Sequence, residues 1–458
     1  MDLTSGLPFW SVRNGLLAVY PRLDGDLTCD VAIIGGGITG ALVAYHLAEA
    51  GLGAVVMDRR EIGWGSTAAS TSLLQYEIDV LLTDLSDLVG LSHAQRAYLA
   101  CRDAIDKLDN LAGKLSDATG FERKKSLYLA TKKRDVKALR LELEHRRAIR
   151  LRVDWFDEGH IAERFPFERH AALLSHDAAQ LDAYAMTHAL LKDATRLGLQ
   201  VFDRTNVASV EATPEGVTLV TAEGCVVRAR HVVFATGYET HEFLEQQVAC
   251  LVSTYALVSE PLPSFTGWGE DCCLIWEHAQ PYLYMRTTAD GRVMIGGEDE
   301  GFKNPTRRDR LLPHKTVRLA KRFREFFPAL EMEVAFAWAG TFGETRDGLA
   351  YIGEHPQWPS AYFALGYGGN GITYSVLAAE IIRDAILGCP NAYSDLFRFD
   401  RQARCVFSPN PAGSRTPSIM AVNVLRMKPS TRSGLLESAY TMRGETRTAA
   451  KPACRISG

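Results

Sequence analysis

The stretch DVAIIGGGITGALVAYHLAEAGLGAVVMD, residues 30–58, decides the fold. Val31 to Ile34 is a short apolar run suited to a buried parallel strand. Gly35-Gly36-Gly37-Ile38-Thr39-Gly40 follows it, and Ala41 to Ala50 reads as a helix stopping near Gly51. Ala54 to Met57 is a second buried strand, closed by Asp58, which stands 18 residues beyond Gly40. Strand, GxGxxG, helix, strand and an acid at an offset of about 20 is the pattern of a dinucleotide-binding unit. Gly35 permits the tight turn, Gly37 admits a pyrophosphate close to the backbone, and Gly40 lets helix and strand approach. The helix N-terminus presents unpaired N–H groups to the phosphates. Asp58 can accept a hydrogen bond from a ribose hydroxyl and would repel a 2′-phosphate. Residues 31–56 are apolar enough to suggest a membrane span, but the clustered glycines, His46 and Glu49 argue against one.

Outward from this unit the chain is an ordinary globular sequence. Its 458 residues suggest about three domains, or two large ones. Hydrophobic residues make up 47% and charged residues 23%, which excludes a mainly disordered chain, a coiled coil and a collagen-like repeat. The net charge of −4 gives no electrostatic reason to expect a nucleic-acid partner. Nine scattered cysteines without a CxxC point to free thiols in a reducing cytoplasm, and no cysteine–histidine cluster offers a metal site. The N-terminus lacks a signal-peptide pattern, so a cytoplasmic location is expected. Oligomeric state is not legible. From Pro411 to Gly458 there are eight basic and two acidic residues, so this stretch carries +6 and the remainder −10. Its composition predicts a disordered basic tail over 411–458.

The middle of the chain alternates helices and strands. Helical spacing covers 78–117, 132–148, 182–197 and 307–327. Strands are expected at 126–131, 201, 207–211, 217–221, 226–234, 282–286, 293–297, 334–340 and 349–353. A second glycine cluster, Gly366 to Gly371, follows a strand at 361–365 and precedes a helix at 372–387. No second strand ending in an acid comes after it, so it is not another nucleotide-binding unit. It is a glycine-lined helix N-terminus that can face an anionic group.

Four features together resemble the D-amino-acid oxidase superfamily of FAD-dependent oxidoreductases, near its glycine oxidase and γ-glutamylputrescine oxidase branch. They are DVAIIGGGITG with Asp58, the loop IGWGSTAAST (62–71), VVFATGYE ending at Glu239, and WAGTFGETRDGLAYIGEHP (338–356) followed by GYGGNGITYS. The resemblance implies an α/β fold with a Rossmann-type, glutathione reductase-like FAD domain and an interleaved α+β substrate domain. The FAD domain would comprise 28–80, 180–245 and 340–400, and the substrate domain 81–179 and 246–339. FAD, bound non-covalently, would touch Gly35, Gly37, Ile38, Thr39, Gly40, Asp58 and Arg59. Ser66, Thr67, Ser70 and Thr71 would cover the pyrophosphate. Val207 and Gly237 would lie along the cofactor, and Gly368, Gly369, Asn370, Gly371 and Ile372 near the flavin. The helix beginning at Gly371 would aim its N-terminus at the flavin N1–O2 edge, where reduced flavin gathers negative charge.

The implied activity is oxidation of a C–N bond in a small amine or amino acid, with hydride transfer to flavin N5. The alternatives are an NAD(P)H-using flavin hydroxylase and a non-catalytic flavoprotein subunit. Glycine oxidase-like members carry WxGxRP, whose arginine holds the substrate carboxylate; here Phe342 stands in its place. Arg346 is the candidate substitute, with pairing to Glu344 or Asp347 as its ordinary role. Tyr282, Tyr284 and Arg286 alternate along a strand and so share a face, making them candidates to orient substrate. Gln75 and Tyr76 can reach the flavin or simply pack. His46, His278 and His355 receive no catalytic role.

Overall fold

The computed structural model describes residues 2–401 except 245–247, 280, 366 and 367; the basic stretch 411–458 lies outside the described residues. Two sheets organise the molecule. Numbered along the chain, the first contains β2 (Leu27–Ile34), β3 (Ala54–Met57), β8 (Gln200–Phe202), β9 (Val207–Thr213), β10 (Gly216–Thr221), β11 (Val226–Phe234), β17 (Tyr351–His355) and β18 (Trp358–Leu365). The second contains β1 (Thr4–Gly6), β4 (Leu73–Leu74), β5 (Glu122–Ala130), β6 (Val153–Asp157), β7 (Ala171–Gln180), β12 (Cys250–Ser259), β13 (Leu274–His278), β14 (Leu283–Thr287), β15 (Val293–Gly301) and β16 (Val334–Glu344).

The first sheet runs β17-β18-β11-β2-β3-β8, with β9 and β10 folding back on β11. β18, β11, β2, β3 and β8 pair in parallel, Val31 opposite Ala54 on one side and His231 on the other. Val31 to Ile34 and Ala54 to Met57 are buried throughout, as a parallel sheet covered on both faces requires. Strand order reverses between β2 and β11, and such a switch point opens a crevice at the strand ends. The helix Ile38–Glu49 leaves β2 into that crevice, flanked by the helices Ala183–Arg196 and Gly371–Ile386. Thr39 and Ser375 join the first turns of two of these helices through their hydroxyls, 2.8 Å apart. Both glycine-led N-termini therefore lie side by side.

The second sheet runs β1-β16-β12-β15-β14-β13-β5-β7-β4, with β6 on β7. The helix Pro305–Phe326 covers one of its faces, packing Leu319, Phe323 and Phe326 into an aromatic core with Phe327 and Trp268. Gly90, at φ +90°, divides the helical stretch expected at 78–117 into Leu82–Val89 and Leu91–Ala112. No helix among the described residues is long and apolar enough to cross a membrane.

Candidate active site

A cavity with about 2200 Å³ of empty space, part of it open to solvent, runs from the end of β2 to the second sheet. Its lining comes from both sheets, from the Gly35 turn at one end to Tyr284 and Phe342 at the other, as a cofactor site with a substrate site beyond it requires. Of the residues expected at the cofactor, Gly35, Gly37, Ile38, Thr39, Asp58, Arg59, Ser66, Thr67, Ser70, Thr71, Val207, Gly237 and Gly368 to Ile372 all line it. Gly40 does not line the cavity. A Cβ there would come 1.9 Å from the Gly35 carbonyl oxygen, which is the close packing its place in the motif requires. Gly35 has φ +110°, and a Cβ on it would meet the Ala235 carbonyl at 2.4 Å.

The N-terminal end of the cavity is polar and braced. Gly37 is the N-cap of its helix and supplies no side-chain cap, so the terminal N–H groups face the cavity edge. Thr67 Oγ1 accepts one of them, from Ile38, at 3.0 Å. Ser66 Oγ and Ser72 Oγ also line the cavity and are buried without hydrogen-bond partners. A glycine-led helix N-terminus surrounded by small hydroxyl side chains suits phosphate oxygens. Asp58 accepts from the Gly36 and Arg60 amides at 2.7 and 2.8 Å, bracing the glycine turn while it lines the cavity. Arg59 and Arg60 both pair with buried Glu239 where the cavity passes Gly237. These residues fit FAD.

The other end lies against the second sheet. Tyr282 and Tyr284 line it, together with Phe342, Trp276, Gln75 and Tyr238. The Tyr284 ring fits over Gly296, where a Cβ would come 2.3 Å from a ring carbon. Gln75 donates to Ser126 Oγ at 2.8 Å, as does Trp276 Nε1 at 2.9 Å, fixing both side chains against β5. Tyr76 turns away into the core and donates to Ser175 Oγ.

Two of the expected substrate-side residues do not line the cavity. Arg286 shares a strand with Tyr284 but does not reach the cavity. Its guanidinium is buried and donates to the carbonyls of Thr71, Ser72, Leu181 and Thr287 at 2.9 to 3.2 Å. Burial pushes its pKa down to about 9, which still leaves it charged at neutral pH. It fastens the loop after Thr71 to the second sheet. Arg346 is exposed and also lies outside the cavity lining. Asp347, one of its expected partners, is instead held by Arg401 at 2.8 and 2.9 Å.

Three carboxyl groups on this side were not singled out in the sequence as site residues: Asp79, Asp299 and Glu344. Asp79 accepts from the Gly369 amide at 2.6 Å. Asp299 sits in the bulge of β15, where Glu298 and Asp299 lie between the Gly297–Tyr255 and Glu300–Ser253 pairs with β12. Burial pushes Asp299 up to about 7, against the approach of the Thr254 hydroxyl, and negative Glu344 and Asp79 add to the rise. Loss of hydration and then Asp79 raise Glu344, and loss of hydration raises Asp79 itself, although both residues are exposed at the cavity wall. Among the described residues the only basic side chains on the cavity wall are Arg59 and Arg60, both engaged with Glu239.

The FAD dependent oxidoreductase family matches residues 30–385, and the chain belongs to that family. Glycine oxidase from Bacillus licheniformis is 27% identical over 385 residues, which cover 81% of this chain and 97% of the relative. Gamma-glutamylputrescine oxidoreductase from Escherichia coli (strain K12) is 26% identical over 423 residues, covering 88% and 93%. In three dimensions the fold is similar to glycine oxidase from Geobacillus kaustophilus, with a TM-score of 0.67 at 21% identity, covering 80% and 96%. L-amino acid deaminase from Proteus vulgaris gives 0.69 at 16% identity, covering 84% and 100%. The protein is an FAD-dependent oxidoreductase of the amine- and amino-acid-oxidising type. Its fold joins a Rossmann-type FAD-binding part to an α+β part.

Proposed function

We propose that this enzyme oxidises the C–N bond of an amine that carries no α-carboxylate, using FAD held non-covalently. The observation that carries the reading is Phe342 in the cavity wall, where among the described residues the basic side chains are Arg59 and Arg60, both engaged with Glu239. Burying a carboxylate without a charge-assisted partner forfeits about 1.5–3 kcal/mol, or roughly ten- to a hundredfold in affinity. The Phe342 ring offers a methylene chain an apolar wall instead.

In this reading 28–80, 180–245 and 340–400 hold the cofactor, while 81–179 and 246–339 shape the substrate side. Gly35, Gly37, Ile38 and Thr39 cradle the pyrophosphate, with Ser66, Thr67, Ser70 and Thr71 over it. Asp58 and Val207 flank the adenosine end, and Gly368 to Ile372 meet the ring system. Bound FAD supplies a two-electron acceptor that takes a hydride at N5 from the carbon bearing the nitrogen. Tyr282 and Tyr284 orient the amine, and Trp276 and Phe342 exclude water from its chain. The oxidised product is an imine, which water converts to a carbonyl compound with release of ammonia, or of an amine where the nitrogen is substituted. Oxygen or another acceptor restores the cofactor.

The test is anaerobic reduction of the holoenzyme by two panels. Putrescine, its γ-glutamyl derivative and benzylamine should bleach the flavin faster than glycine, sarcosine and D-alanine. Fast reduction by a small α-amino acid, lost in Arg346→Ala, would overturn the preference.

A further inference from the structure

The acidic end of the cavity is more heavily charged than a monoamine site needs. Asp79, Asp299 and Glu344 come from three separate parts of the chain and face one space. Asp299 Oδ1 and the neighbouring Thr254 Oγ1 are buried together, and neither makes a hydrogen bond of normal geometry among the described residues. Asp79 has a place only because glycines stand opposite it. A Cβ on Gly368 would come 2.5 Å from one of its oxygens, and one on Gly369 2.6 Å from the other. Among the described residues it accepts one hydrogen bond, from the Gly369 amide, which leaves further acceptor capacity toward the cavity. Asp79 and Glu344 are exposed at the cavity wall, and Asp299 is partly buried with one oxygen shut off from solvent; that occluded carboxyl oxygen is costly unless a cation or donor joins it. The basic side chains of the wall are engaged with Glu239.

We propose that Asp79, Asp299 and Glu344 form a subsite for a second cationic nitrogen, so that the substrate is a diamine or polyamine with one nitrogen at the flavin and another at these carboxyl groups. The proposal rests on the amine-oxidising reading and adds the identity of the distal group. The buried Asp299 and Thr254 oxygens supply acceptors for an ammonium, which has three donors and no acceptor. Tyr282 and Tyr284 stand on the same wall, and the Phe342 ring accommodates methylenes between the two nitrogens.

The experiment titrates the anaerobic holoenzyme with 1,4-diaminobutane, 4-amino-1-butanol and 1-aminobutane, following both the shift of the flavin spectrum and its bleaching. The diamine should bind at least about tenfold more tightly than the amino alcohol, a difference of roughly 1.4 kcal/mol. Asp299→Asn and Asp79→Asn, compared at equal bound-flavin content, should bring that ratio toward one, and Asp299→Glu should restore part of it. Equal affinity of wild type for the three compounds, or a ratio unchanged in both variants, would overturn the subsite. Should a variant lose its flavin, the wild-type ratio decides. Bleaching by all three at equal affinity would keep amine oxidation and remove the subsite. A diamine-specific, Asp299-dependent spectral shift without bleaching would keep the subsite and remove amine oxidation.

Discussion

Gly40 and Arg286 are single residues whose roles the structure separates from the chemistry. A Cβ at Gly40 would overlap the Gly35 carbonyl at 1.9 Å, and neither backbone can retreat without breaking the glycine turn. Gly40→Ala should therefore cost about 1–3 kcal/mol of overpacking and release the flavin, read as lost visible absorbance after gel filtration. Arg286→Leu should strand three or more buried carbonyls at about 1–3 kcal/mol each and lower the melting temperature by several degrees. The ranking of substrates should not change, since Arg286 does not line the cavity; a selective loss of one substrate class would give it back an orienting role. Asp299 makes a pH prediction. Its folded pKa, about 7, lies above the ordinary value of about 3.9, so folding favours its protonated form. The resulting penalty on the folded state is absent at pH 4, grows through the interval between the two values and is complete above pH ~7. Asp299→Asn should raise the melting temperature at pH 8 and leave it nearly unchanged at pH 4, by differential scanning fluorimetry.

Elements differ in how openly the sequence declared them. β2, β3, β11 and the helix Ile38–Glu49 were legible because a glycine turn separates two apolar runs with no competing pattern. β7, a pairing partner of β4, β5 and β6, was not. AALLSHDAAQ neither alternates nor carries β-branched residues, because all but one of its positions are buried. Asp79 was hidden for a related reason. It falls where helical spacing was expected to begin, yet the helix starts only at Leu82, after an irregular segment in which Asp79 meets the Gly369 amide. Asp299 and Glu344 become neighbours through the pairing of β15 and β16 with β12, a long-range fact that no local pattern contains. The start of the helix Leu82–Val89 shows another such dependence. Its Leu82 and Thr83 amides donate to Glu142 at 3.0 Å, and buried Arg146 ties Glu142 to Glu77. Arg146→Met should leave two buried carboxyl groups without their cation. The expected loss is about 3–5 kcal/mol in chemical denaturation. A loss below ~1 kcal/mol would show the network to be dispensable.

Across the whole molecule, the cofactor part was legible as a contiguous motif, whereas the substrate side is assembled from β4, β12 to β16 and their connections. Expected cofactor residues accordingly gather on one cavity, while two of the four expected substrate residues lie elsewhere. The stretch from Pro411 is rich in Ser, Thr, Pro and basic residues and carries few apolar side chains to offset the entropy of ordering them. A chain truncated after Asn410 should keep its flavin spectrum and melting temperature; a large loss of either would show that this stretch docks on the body. The account as a whole depends on electrons passing from an amine carbon to the flavin. Anaerobic single turnover of the holoenzyme with 1,4-diaminobutane, and with the same compound deuterated beside both nitrogens, tests that directly. The flavin should bleach, the deuterated compound should react several-fold more slowly, and one equivalent of aldehyde should appear per flavin reduced. A flavin left oxidised by every amine and amino acid but bleached by NADPH would contradict it.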